Sequence, residues 1–236
     1  MRYFLFALTL CLLMAKAASA TKPQGGMHYP DTANTGVRLR NVTVGVALAG
    51  LGAVGLSDYY HRNINMPVRD YMAELRQNDF YHIDDYLQYL PAASTMLLSL
   101  LPGYRTGWQD RLFLLSTAVL AETAIVNTIK YSVGSLRPDK SNRASFPSGH
   151  TATAFMGAEL VRIEFGPWWG AAAYLTAACV GFLRMYNNRH WSNDVLAGAG
   201  AGILCARIAY WLLPWERRQL CKIGVLPSGL TLSLTF

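Results

Sequence analysis

"RMYNNRHWSND", residues 184–194, separates two long apolar stretches, "GAAAYLTAACVGFL" at 170–183 and "VLAGAGAGILCARIAYWLL" at 195–213. Apolar runs of this length, rich in Ala and Leu, read as buried helices, so the charged insert between them is a helix–helix junction. Working outward, the helix candidates are 42–56, 86–101, 111–133, 151–165, 168–183 and 194–213. "LPGYRTGWQ" and "EFGPWWG" are tight connections punctuated by Gly and Pro. "MPVRDYMAELRQNDF" at 66–80 reads as an amphipathic surface helix with Pro67 near its start. No strand pattern occurs until the tail. There "GLTLSLTF" alternates with Leu230, Leu232, Leu234 and Phe236 on one face, a lone strand that has to dock on something. The expected architecture is all-α: a bundle of about six core helices, embedded in a membrane, with a short strand-like C-terminal tail.

Composition narrows the partners. Of 236 residues, 52% are hydrophobic and 15% charged, and the formal charge of +7 points to anionic ligands such as phosphates or acidic lipids. Basic runs interleaved with aromatics are absent, which argues against nucleic acid, and no protein partner is inferable. The mean hydropathy is only +0.18, so membrane embedding has to be argued segment by segment. Several segments of about 15–17 residues give ~25 Å of helix against a hydrocarbon core of ~30 Å. Glu122, Glu159 and Arg207 interrupt the apolar runs. In a membrane they would have to face the bundle interior and pair.

Residues 1–20, "MRYFLFALTLCLLMAKAASA", read as a secretory signal: Arg2, an apolar core, and Ala18-Ser-Ala20 as a cleavage site. An uncleaved anchor helix is the other reading. Cys179, Cys205 and Cys221 then remain, an odd and irregular set that makes neither a disulfide framework nor a zinc site. The expected organisation is 1–20 signal, 21–85 lead-in with a short apolar segment and a surface helix, 86–213 helical core, and 214–236 tail.

If consecutive apolar runs are antiparallel helices, the chemistry-bearing residues collect at one end of the bundle. Lys130 ends one helix and Arg137 follows it; Ser148, Gly149 and His150 open the next; Arg184 and His190 follow a helix end, and Asp194 opens the last. Lysine and arginine donors match phosphate oxygens. A helix start at Ser148-Gly149 adds free backbone N–H groups. If the last helix begins near residue 190, His190 and Asp194 share a face. The carboxylate can then hold one imidazole nitrogen protonated and leave the other as a nucleophile. His150 comes from a different helix and could protonate a leaving oxygen. No Asp/Glu cluster suggests a metal, and no cofactor is expected where cationic donors already neutralise phosphoryl oxygens. Taken singly, each feature has an ordinary structural explanation: an interface arginine, a surface His–Asp hydrogen bond, a helix cap.

Together, Lys130-x6-Arg137-Pro138, Pro147-Ser148-Gly149-His150 and Arg184-x5-His190-x3-Asp194 resemble the three signature motifs of the type 2 phosphatidic acid phosphatase superfamily. That superfamily includes membrane lipid phosphatases, soluble bacterial acid phosphatases and vanadium haloperoxidases. The third motif usually begins Ser-Arg; here Leu183 precedes Arg184. The resemblance implies a haloperoxidase-like helical core and a phosphohistidine mechanism. In it His190 attacks, Asp194 orients His190, and His150 is the acid. Lys130, Arg137, Ser148, Gly149 and Arg184 bind the phosphate. "HIDDYLQYLP", "SFPSGHTATAF" and "LRMYNNRHWSND" look more narrowly like Bacteroides-type lipid A 4'-phosphatases. The expected function is therefore metal-independent hydrolysis of a membrane lipid phosphate, lipid A foremost. A soluble periplasmic acid phosphatase, and an undecaprenyl pyrophosphate or phosphatidylglycerophosphate phosphatase, stay open. The expected place is a bacterial inner membrane with the site facing the periplasm and the 42–56 segment peripheral or re-entrant. Periplasmic or outer-membrane association is the alternative.

Overall fold

The computed structural model describes residues 35–76, 80–100, 108–212, 221–226 and 229–234. Helix α1 spans Thr35–Val54. After Ser57, α2 (Asp58–Tyr60) runs through one π-helical turn (His61–Asn65) into α3 (Met66–Arg76). Short helices α4 (Asp84–Leu87) and α5 (Leu90–Leu98) lead to α6 (Trp108–Val133), α7 (Gly149–Phe165), α8 (Pro167–Tyr186) and α9 (Ser192–Leu212). The amphipathic helix expected at 66–80 is α3; of the six apolar segments, 111–133, 151–165 and 168–183 each lie within one helix, 42–56 runs just past the end of α1, 86–101 is divided between α4 and α5, and 194–213 is α9 as far as Leu212.

Helix α7 is the centre of the bundle. Its Met156 and Leu160 pack with Leu114 of α6 and with Ala206 and Ala209 of α9. On another side Ala154, Ala158 and Val161 meet Ala177 and Val180 of α8. Small residues set the spacing. A Cβ on Gly202 would lie 2.2 Å from the Ala152 carbonyl oxygen, and one on Gly200 would lie 2.4 Å from the Ala49 nitrogen. Helix α9 is thus squeezed between α7 and α1 with backbones in contact, the packing mode that small residues permit.

Two of these helices, over Arg111–Val133 and Ser192–Leu212, are long and apolar enough to cross a membrane. A third candidate is the pair Val42–Val54 with Asp58–Arg76, bent by 83°. The apolar segment expected at 42–56 belongs to this bent pair. It begins at Thr35 and lies along α9, with Gly45 against Leu204 and Gly55 against Asn193. The bend leaves it as half of a broken span or as a re-entrant element.

Of the charges inside the apolar runs, Glu159 and Arg207 pair as desolvation requires, whereas Glu122 is met by a hydroxyl rather than a cation among the described residues. Glu159 accepts from Arg162 at 2.7 and 2.9 Å and from the Tyr174 hydroxyl at 2.6 Å, and it forms an ion pair with Arg207. Deeper along α7, Glu164 pairs with Arg111 at 2.9 Å and with the Tyr210 hydroxyl. Glu122 is buried, with the Thr153 hydroxyl at 3.5 Å.

The lone terminal strand is corrected to a hairpin. Strand β2 (Gly229–Leu234) pairs antiparallel with β1 (Cys221–Leu226), Leu232 opposite Ile223 and Leu234 opposite Cys221. "CKIGVL" is short and broken by Gly224, so its alternation was too weak to read alone; pairing supplies what a single strand lacks. Phe236 lies outside the described residues.

Candidate active site

All eight sequence-predicted site residues fall at one end of the bundle. Lys130 is in the last turn of α6 and Arg137 in the loop that follows. Ser148 is the N-cap of α7, in extended backbone (φ −73°, ψ 113°). Arg184 is in the last turn of α8, His190 in the junction, and Asp194 in the first turn of α9. Backbone contacts lock these pieces together. The Ser148 N–H donates to the Asp194 carbonyl at 3.0 Å, which joins the second and third motifs directly. A Cβ on Gly198 would lie 2.4 Å from the Ser148 carbonyl oxygen, so α9 can approach this turn only with glycine there. Lys130 Nζ donates to the Ala144 carbonyl at 3.3 Å and lies 4.0 Å from where a Gly149 Cβ would be. The open α-carbon of Gly149, the first N–H groups of α7 and the ammonium thus border one small space.

His190 and Asp194 meet, but not on a shared helix face. Helix α9 starts at Ser192, so His190 precedes it. Its Nδ1 stands 3.5 Å from Asp194 Oδ2, an ion-pair distance without a formed hydrogen bond. Asp194 Oδ2 accepts instead from the Trp191 N–H at 2.9 Å and from the Ser145 hydroxyl. Asp194 therefore fixes the junction backbone and lies against the imidazole at the same time. Burial pushes the His190 pKa down to about 4, with Arg184 and Arg137 adding to the effect against Asp194. The ring is neutral at neutral pH, the state a nitrogen nucleophile needs.

The cations are concentrated and incompletely paired. Arg137 is held below the ordinary guanidinium range, first by burial and then by Arg184. Among the described residues, buried side-chain atoms with no hydrogen-bond partner include Arg137 Nε, Arg184 Nε, His190 Nδ1 and Asp194 Oδ1. Buried polar atoms are seldom left so, and their gathering at one spot marks a place prepared for a polar ligand. Three cations with helix N–H donors suit a phosphoryl group.

Two acidic residues outside the sequence-predicted set, Asp84 and Asp85, also reach the pocket. Asp84 is buried and accepts from Arg184 at 2.6 Å and from the Asn187 amide at 3.1 Å. Asp85 Oδ1 lies 2.9 Å from His150 Nε2 and 3.5 Å from Arg184. A signal existed: three cations predicted in one pocket need counter-charge, and "HIDDY" at 82–86 was the acidic pair left unassigned. Asp84, Asp85 and His150 are also a group that could hold a metal ion. The Arg184 guanidinium stands beside both carboxylates and already supplies positive charge there. Arg189 pairs with Asp139 at 2.9 Å, and the Trp191 indole donates to the Leu136 carbonyl at 2.8 Å, so both hold the 134–145 loop onto the junction. Asn188 is left-handed (φ 58°), and Asn187 grips the Tyr81 backbone from both its amide atoms. His61 lies edge-on to Trp191 at 4.6 Å.

Residues 111–218 match the PAP2 superfamily. A stretch of 91 residues, 37% of this chain, is 50% identical to a lipid A 1-phosphatase from Porphyromonas gingivalis, and the match spans 20% of that protein's length. The crystal structure of Aquifex aeolicus LpxE aligns with 60% of this chain and 93% of its own at 26% identity, with a TM-score of 0.46. A transmembrane PAP2-type phosphatidylglycerolphosphate phosphatase from Bacillus subtilis aligns with 87% of this chain and 94% of its own at 19% identity, with a TM-score of 0.41.

Proposed function

We propose that this chain, whose residues 111–218 are a PAP2 superfamily domain, is a metal-independent phosphatase that removes a phosphate monoester from a membrane lipid through a phosphohistidine. The observation that carries this reading is a buried, neutral His190 beside two arginines, Arg137 and Arg184, that each keep a buried nitrogen without a partner. Lys130, Arg137, Arg184 and the N–H groups at Ser148-Gly149 hold the phosphoryl oxygens. His190 attacks phosphorus through Nε2, since Nδ1 faces Asp194. Asp194 stabilises the imidazolium character that develops on the ring. His150 gives a proton to the departing oxygen, and the phosphohistidine is then hydrolysed by water. The two membrane-length helices start or end at this pocket, which supports a position at the level of a lipid headgroup.

Lipid A is the substrate favoured by the likeness to the lipid A 1-phosphatase over the shared stretch. The narrower likeness noted from the sequence was to 4'-phosphatases, so the position is decided by product analysis. Purified protein in detergent should release phosphate from lipid A far faster than from phosphatidylglycerophosphate or undecaprenyl pyrophosphate. Equal release from small soluble phosphates, with activity left behind when membranes are washed, would instead make it a soluble acid phosphatase.

The pocket is assigned to the periplasmic face of an inner membrane. Helix α1 runs from the far end of the bundle towards the pocket, because its Gly45 meets Leu204 and its Gly55 meets Asn193. A full crossing by α1 would set residue 35 and the pocket on opposite sides. With a cleaved leader and a periplasmic pocket, α1 therefore cannot be the first full crossing of the chain. In intact cells a cysteine at position 141 of an otherwise cysteine-free variant should react with an impermeant reagent, and one at 219 should not. The reverse pattern would put the site in the cytoplasm.

A further inference from the structure

We propose that Asp85 is the positioning residue of the acid His150: it holds Nε2 and so commits Nδ1 to the leaving oxygen. This rests on the catalytic reading above. An ionised carboxylate only accepts, so the 2.9 Å contact is an Nε2–H donating to Asp85 Oδ1. The neighbouring carboxylate has another task. Asp84 is buried and committed to Arg184 and Asn187, which fixes α4 against the end of α8. Asp85 is half exposed and packs against little; its carboxylate reaches His150, the edge of Arg184 and, at 3.9 Å, His82. A residue so exposed contributes little to the fold, and its shortest contact is to the acid.

The step balances. In the imidazolium both nitrogens carry protons. The Nδ1–H bond breaks and its proton goes to the leaving oxygen as the phosphorus–oxygen bond breaks and returns its electron pair to that oxygen. The ring is left neutral as the Nε2–H tautomer, which Asp85 holds. Water then attacks phosphorus, the bond to His190 breaks, and Nδ1 takes the proton that water loses. Without Asp85 the neutral ring could carry its proton on either nitrogen, and it could turn. The charged groups acting on His150 are Asp84 and Asp85 from α4 and Arg184 from α8. Burial and Arg184 push the His150 pKa down, and Asp85 opposes them.

The test compares a lipid phosphomonoester with p-nitrophenyl phosphate, whose leaving group needs no acid. Asp85→Asn should lower kcat/KM for the lipid by about tenfold or more and for the aryl ester by less than about threefold. Its alkaline limb on the lipid should move to lower pH, and Asp85→Glu should recover part of the loss. In a His150→Ala background, Asp85→Asn should add nothing. Equal losses on both substrates, no loss on either, or an undiminished effect in that background would overturn the assignment. His150→Ala alone separates the two levels. If it costs both substrates equally, the acid role of His150 fails; if it discriminates while Asp85→Asn does not, only the role of Asp85 fails.

Discussion

The bundle buries charge in two regions, and they differ in what is left over. Around Glu159, the carboxylate is surrounded by Arg162, Arg207 and Tyr174; lower still, Glu164 takes Arg111 and Tyr210. Both carboxylates there are fully engaged, and Arg207 Nε is the atom left without a partner. At the pocket, Arg137, Arg184, His190 and Asp194 each keep a buried polar atom with no partner. Where ions are paired by the protein itself, they hold helices. Where several buried polar atoms gather without partners, two of them on arginines, the missing partner is an anion from outside. Buried charge alone therefore does not identify a site; the unpaired remainder does.

The largest expected effect separates the two regions outright. His190→Ala should lower phosphate release by at least about a thousandfold, with the thermal midpoint close to that of the parent. Glu159→Ala should do the opposite: it strands the partly buried guanidinium groups of Arg207 and Arg162, costs about 2–4 kcal/mol of stability, and leaves kcat/KM of the folded fraction near normal. Loss of activity without loss of stability in Glu159→Ala would erase the distinction. A smaller effect comes from acid. The folded pKa of His190, about 4, lies below its unfolded value, so the folded state refuses a proton that the unfolded chain takes. The stability it contributes is complete above an ordinary imidazole pKa of about 6.5 and is lost as pH falls towards 4. The denaturation midpoint of the parent should drop over that window more steeply than that of His190→Gln, and parallel slopes would refute the burial assignment. The smallest expected effect is none. Chelator should leave turnover unchanged, because the cations of the pocket do the neutralising; loss restored by a divalent ion would move the role to Asp84, Asp85 and His150.

Much of this was legible in one dimension. Local periodicity and Gly/Pro punctuation found the helices, because the alternation of apolar runs and polar junctions is set by residues close in sequence. The same reasoning placed Lys130, Arg137, Ser148, Gly149, Arg184, His190 and Asp194 at junctions, since antiparallel succession carries every second junction to the same end. It also required Glu159 and Arg207 to face inward and pair, because an apolar surrounding leaves an ion no other choice.

What only the tertiary structure decided are relations between segments far apart in the chain. Asp85 and His150 are 65 positions apart, and nothing local to "HIDDY" says that α4 folds over the start of α7. The packing of α1 along α9 depends on Gly45 and Gly200 facing each other, and a glycine-rich run on its own reads only as weakly helical. Strand β1 was too short and irregular to announce itself without the partner that gives it hydrogen bonds. His190 could be identified as a nucleophile candidate from its spacing to Asp194, but its neutrality comes from burial among Arg184 and Arg137, and burial exists only once helices from separate parts of the chain have closed around it.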